Sequence, residues 1–127
     1  MRILVTNDDE AYIHMVYELL TDTGYRDVVW HVGAATFQRV RDTQPALVLL
    51  DINITNPGRG WTTLDMLRMH PKTRHIPVLL CSTDMKLINE KADLLSELGC
   101  DVLEKPFDLE TLLEKVAAII GPPPEAP

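Results

Sequence analysis

Residues 46–51 read Ala46-Leu47-Val48-Leu49-Leu50-Asp51, five apolar residues in unbroken succession closed by a carboxylate. A strand with one face in water alternates apolar and polar residues. A short continuous apolar run instead fits a strand buried on both faces, as in a parallel sheet covered by helices. A carboxylate that directly ends such a run costs solvation unless it has a partner. Asp51 therefore reads as a functional residue rather than as surface decoration.

Runs of the same kind lie on either side: Ile3-Leu4-Val5, Val28-Val29-Trp30, Val78-Leu79-Leu80-Cys81 and Val102-Leu103. All five are taken as strands buried on both faces. Between them the apolar residues fall at helical spacing: Ile13, Val16, Tyr17 and Leu20, then Phe37 and Val40, then Leu64 and Leu67. Leu87, Ile88, Leu94, Leu95 and Leu98 mark a fourth helix, and Leu109, Leu112, Leu113, Val116 and Ile120 a fifth. The order βαβαβαβαβα predicts right-handed crossovers and a parallel sheet with helices on both faces, and in such sheets ligands bind at the carboxyl ends of the strands. Gly24, Gly99 and Gly121 are placed to end helices one, four and five, and Pro71 and Pro77 bracket the turn after the third, which opens near Trp61. Asp84 and Asp108 are candidate N-caps for the fourth and fifth helices.

At 127 residues the chain fits one domain, with 46% hydrophobic and 24% charged residues, as in ordinary globular proteins. A net charge of -7, from 19 acidic and 12 basic side chains, disfavours direct binding to nucleic acid or to anionic membrane. The two cysteines, Cys81 and Cys100, have no metal-pair spacing and read as reduced core residues. There is no signal-peptide pattern and no run near the ~20 apolar residues of a membrane span, so a cytoplasmic location is expected. The Gly121-Pro122-Pro123-Pro124-Glu125-Ala126-Pro127 segment reads as an extended tail or linker stub, leaving residues 1–120 as the domain. Output is then expected from a separate protein or from a further domain.

His14, His31, His70 and His75 share no ligand spacing. Gly58-Arg59-Gly60 follows the third strand without the closing glycine of a dinucleotide loop. Trp61, Met66 and Met69 read as core or helix-edge packing, and Lys86, Glu90 and Lys91 as a solvated face.

The residues that end the strands carry the chemistry. Asn7, Asp8 and Asp9 follow the first strand, Asp51 the third, Ser82 and Thr83 the fourth, and Lys105 the fifth. Crowded carboxylates raise one another's pKa unless a cation offsets them, and hard oxygen donors suit magnesium. One oxygen of Asp51 then remains available as a nucleophile, with Lys105 and Ser82 set to meet the oxygens of a transferring phosphoryl group.

Four stretches in this order resemble the receiver domains of two-component response regulators: Ile3-Leu4-Val5-Thr6-Asn7-Asp8-Asp9-Glu10, Val48-Leu49-Leu50-Asp51, Pro77-Val78-Leu79-Leu80-Cys81-Ser82 and Lys105-Pro106-Phe107. The resemblance covers residues 1 to about 120. It implies a flavodoxin-like, doubly wound (βα)5 fold with strand order 2-1-3-4-5, and a signalling phospho-acceptor that promotes only its own phosphoryl transfer and dephosphorylation. Asp51 would take a phosphoryl group from a histidine kinase or phosphotransfer protein with Mg2+. Asp8, Asp51 and the Asn53 backbone carbonyl would ligate the metal, with Asn7 and Asp9 in its outer shell. Ser82 would be the switch hydroxyl and Lys105 the phosphoryl-pairing lysine, whose bond to Pro106 is often cis in the family. The aspartyl phosphate would then alter binding to a downstream protein, and the fourth and fifth helices are the family's usual face for partners or a homodimer.

The sequence departs from the pattern at Asn7, an amide in an acidic place that is expected to weaken magnesium binding. It departs again at Val102, where an aromatic switch residue is usual. Residues 52–60 form an enlarged turn that delays its proline, and Thr83 replaces a small residue. Two alternatives stand beside the phospho-acceptor: a degenerate receiver that acts as a phosphorylation-independent interaction module, and a flavodoxin-like binder of a phosphorylated cofactor.

Overall fold

The three apolar runs Ile3-Leu4-Val5, Leu47-Val48-Leu49-Leu50 and Val78-Leu79-Leu80-Cys81 become the three central strands of one parallel sheet. The computed structural model describes residues 1–33, 35–51, 57–83 and 85–123, with the backbone alone described for residues 57–60, 85 and 87. Its strands are β1 (Ile3–Asn7), β2 (Val28–Val32), β3 (Leu47–Asp51), β4 (Val78–Ser82) and β5 (Cys100–Glu104), in the order β2-β1-β3-β4-β5. This is the expected doubly wound arrangement. Val5 sits opposite Leu49 and Asp51 opposite Cys81, so the carboxyl ends of the central strands lie side by side.

Alternate residues of the central strands feed two cores. Ile3, Val5, Leu47, Leu49, Leu79 and Cys81 pack with Ile13, Val16 and Leu20 of α1 (Glu10–Thr23) and with Leu112 and Val116 of α6 (Leu109–Ile120). Leu4, Val48, Leu50, Val78 and Leu80 point the other way. They meet Val40 of α2 (Thr36–Thr43), Leu64 and Leu67 of α3 (Pro57–Met69), Ile88 of α4 (Met85–Glu90) and Leu95 of α5 (Ala92–Glu97). Each fully buried leucine contributes on the order of 1.5–3 kcal/mol, and burying leucines on both faces explains why β3 needs no polar residue before its end.

The edge strands differ from the expectation of burial on both faces. In β2 only Val28 is buried and Trp30 is 44% exposed, while β5 buries only Leu103. An edge strand has a neighbour on one side only, so its outer flank is open to solvent. The fourth helix is also two helices. Between Ile88 and Leu94 the run Asn89-Glu90-Lys91-Ala92-Asp93 offers no large apolar anchor, and the backbone turns at Lys91 (φ -105°, ψ 13°) before α5 begins. The third helix opens at Pro57 rather than near Trp61, as suits a residue whose missing N–H is no loss in the first turn. Trp61 packs against the second core as expected, but Met66 and Met69 are exposed, Met69 by 82%.

The end signals hold where they are described. Gly24 caps α1 at φ 120°, a conformation that penalises any side chain, and Gly121 follows α6. Asp108 caps α6 by accepting the Thr111 N–H at 2.7 Å, whereas Asp84 lies outside the described residues. The start of the tail is held: the Tyr25 hydroxyl donates to the Gly121 carbonyl at 2.9 Å. Residues 124–127 are outside the description. Both cysteines are free, Cys81 buried and Cys100 partly so. Among the described residues no helix is long and apolar enough to cross a membrane.

Candidate functional site

Asp51, the last residue of β3, keeps its side chain only 11% exposed. The Lys105 ammonium donates to its Oδ1 and forms an ion pair with it, and the lysine side chain is itself 18% exposed. Lys105 is placed by its backbone, whose N–H donates to the carbonyl of Ser82 at 2.8 Å and so ties the segment after β5 to the end of β4. The Lys105–Pro106 bond is cis. Ser82 is buried at the end of β4, and Thr83 after it is exposed. The Thr6 hydroxyl donates to the Leu49 carbonyl at 2.8 Å, a buried bond that ties β1 to β3 just before Asp51.

The acidic turn after β1 is organised by its own side chains. The Asn7 amide oxygen accepts the N–H groups of Asp8 at 2.6 Å and Asp9 at 3.0 Å. One oxygen of Asp9 accepts from Ala11 at 2.9 Å and Tyr12 at 3.4 Å, making Asp9 the N-cap of α1. Asp9, read from sequence as an outer-shell group, thus has a capping role that the sequence reading did not anticipate. Asp8 lies exposed between them. Asn53 and the rest of residues 52–56 lie outside the described residues.

Two further side chains complete the pocket. Tyr12, in the first turn of α1, sets its ring 4.4 Å from the Lys105 ammonium and meets Phe107 edge-on at 6.4 Å between centroids. Burial pushes the Tyr12 phenol above its ordinary range, with Cys81 and Asp51 adding to the effect. The buried Cys81 thiol is pushed up to about 12 by burial, against the pull of Lys105. Both groups are therefore neutral at physiological pH. Sequence reading placed Cys81 in the core, where it is, and missed Tyr12, whose only signal was its position three residues past an acidic N-cap at the carboxyl edge of the sheet.

A family model for the response regulator receiver domain matches residues 3–117. The chain belongs to this family.

Among curated relatives, the receiver is 34% identical over 120 residues to the DNA-binding dual master transcriptional regulator RpaA of Synechocystis sp., covering 94% of this chain and 48% of RpaA. It is 31% identical to the response regulator PleD of Caulobacter vibrioides, covering 93% of this chain and 26% of PleD. The chain thus spans about half or less of the length of these two relatives. Among solved structures, chemotaxis protein CheY4 of Vibrio cholerae superposes with a TM-score of 0.78 at 24% identity, covering 93% of this chain and 97% of that one.

Within this receiver, Val102 is partly buried, and a depression of about 430 Å3 opens beside it, lined also by Glu104, Pro106, Phe107, Thr111 and Lys115. The four histidines supply no cluster: among the described residues no group of three or more His, Cys, Asp or Glu is gathered as a metal cage.

Proposed function

We propose that this receiver is a phospho-acceptor, with Asp51 taking a phosphoryl group from the phosphohistidine of a histidine kinase or phosphotransfer protein. The observation that carries the proposal is the Asp51–Lys105 ion pair, a nucleophilic carboxylate and a cation held together at the carboxyl edge of the sheet with little solvent access. In the transfer an Asp51 oxygen forms a bond to phosphorus as the P–N bond of the donor breaks, and the departing imidazole nitrogen takes up a proton. Lys105 loses its carboxylate partner in that step and is placed to pair with the phosphoryl oxygens instead. The Ser82 hydroxyl, at the neighbouring strand end, is the proposed group through which the phosphorylated state is sensed.

The donors fit a magnesium ion. Magnesium takes one or two carboxylates and completes its octahedron with water, so it needs no all-protein cage. Asp8 and Asp51, at the ends of adjacent strands, would ligate it, with the Asn53 backbone carbonyl, and Asn7 and Asp9 would act from the outer shell through water. When bound, the ion neutralises charge between the carboxylates and the incoming phosphoryl oxygens. The receiver domain of sensor kinase PA1611 from Pseudomonas aeruginosa, 21% identical with a TM-score of 0.74 and covering 94% of this chain and 97% of that one, is described with magnesium coordinated in its active-site cleft.

The domain so defined spans residues 1–120, works in the cytoplasm and catalyses no reaction besides its own phosphorylation and dephosphorylation. Its downstream partner is a protein, in keeping with the acidic net charge of -7, and α4, α5 and α6 are the proposed face for that partner or for a homodimer. A second reading, an interaction module independent of phosphorylation, is favoured by Asn7, whose amide oxygen is committed to two backbone N–H groups. Intact mass after incubation with acetyl phosphate separates the two. A phospho-acceptor gains one phosphoryl group with magnesium and none without it, and Asp51→Asn abolishes the gain. An unchanged mass with an active donor and magnesium supports the interaction module.

A further inference from the structure

We infer that Tyr12 is a positioning residue for Lys105, holding the ammonium at the acceptor through the face of its ring, 4.4 Å away. The inference rests on Asp51 being the phospho-acceptor, and goes beyond it by assigning a role to a residue on α1.

A lysine ammonium sits on a flexible stem and loses considerable rotamer freedom when fixed. Among the described residues, the Asp51 carboxylate and the Tyr12 ring hold it. Their fates differ on phosphorylation. The Asp51 carboxylate becomes an acyl phosphate, a mixed anhydride whose carbonyl and bridging oxygens carry little charge, so the original ion pair is lost. The aromatic face keeps its quadrupole and attracts the cation in both states, more strongly because little water reaches the site. The Tyr12 contact therefore outlasts the ion pair with Asp51.

The ring is itself constrained. The Phe107 ring meets it nearly perpendicular, at 81°, and Phe107 lies two residues beyond Lys105, so lysine and tyrosine are registered by the same short segment. Tyr12 itself packs, partly buried, against the core that contains Cys81 of β4. At the other end, the Tyr12 N–H donates to Asp9, the cap of α1, which joins the ring's position to the acidic turn. Holding the cation does not require the phenol to ionise, so phenylalanine should serve and an aliphatic residue should not.

Tyr12→Phe and Tyr12→Leu test this, each first shown by circular dichroism to be folded. The ε-methylene protons of Lys105 report the stacking before any donor is added: their ring-current upfield shift is expected in the parent and Tyr12→Phe and absent in Tyr12→Leu. With magnesium and acetyl phosphate, Tyr12→Phe is expected to match the parent within about twofold. Tyr12→Leu should lose about fivefold in maximal phosphorylation rate with the half-saturating donor concentration unchanged. A parent that takes up phosphate while Tyr12→Leu does so equally fast overturns the role of Tyr12 alone, as does a Lys105 shift common to all three proteins. A parent that takes up none overturns the acceptor role of Asp51, and the positioning role with it.

Discussion

Asp51 and Lys105 pair across an intervening strand: Asp51 ends β3, Lys105 follows β5, and β4 lies between them in the sheet. The Ser82 carbonyl at the end of β4 receives the Lys105 N–H. One side chain and one backbone bond of a single residue thus fasten three strand ends together. The segment after β5, which leads through Phe107 into α6, is thus anchored in part by the Asp51 carboxylate.

Lys105→Met is expected to destabilise the fold by about 1–3 kcal/mol, because it leaves the mostly buried Asp51 carboxylate without its donor. Asp51→Asn should cost less, since a neutral amide tolerates the site better. The double variant should be more stable than the sum of the single losses. Urea unfolding of the four proteins measures the coupling, and strictly additive losses would show that the pair contributes nothing to stability.

Arg68 is expected to matter more than an ordinary partly exposed arginine. Its guanidinium donates to the carbonyls of Leu98 at 2.7 Å, Ile76 at 2.8 Å and Arg74 at 3.1 Å, joining α3 to the segments before β4 and β5. Arg68→Ala should cost about 2–3 kcal/mol, and Arg68→Lys should recover less than half of that, because a point ammonium cannot reproduce a planar fork. Thermal or urea unfolding tests both, and a fully rescuing lysine would contradict the geometry.

The α6 cap gives a pH signature. Hydrogen bonds from Thr111 hold the Asp108 carboxyl below its ordinary value. A depressed pKa means that the unfolded chain binds the proton more readily, so the contribution of Asp108 is present above the unfolded value near 3.8 and is lost as pH falls through the lower folded value. Asp108→Ala should therefore melt below the parent at neutral pH, with the gap closing in strong acid. A gap independent of pH would mean that the charge of the cap plays no part.

What was legible in the sequence follows from how local each signal is. β1, β3 and β4 were readable because burial on both faces leaves an unbroken apolar run, and Gly24, Gly121 and Asp108 because caps act within a turn of their own position. β2 and β5 carry similar apolar residues, yet their exposure depends on being edges, a property of the whole sheet. The break at Lys91 was hidden because Leu87, Ile88, Leu94 and Leu95 keep a helical period across it. Asp51 and Lys105 could be named from sequence because each ends or follows an apolar run. Tyr12 could not, since a tyrosine in a helix's first turn gains a role only when Lys105 and Phe107, far along the chain, come to meet it. Asp9 was named for an outer-shell metal role, and the capping of α1 by its carboxylate, itself a local signal, was passed over.

The most direct measurement is to locate the phosphoryl group. After reaction with acetyl phosphate and magnesium, borohydride converts an aspartyl phosphate to homoserine, which peptide mass spectrometry assigns to a single residue. Homoserine at position 51, absent when donor or magnesium is left out, is the expected result. Homoserine at position 8 or 9 with Asp51 unmodified, or at no position, would contradict it.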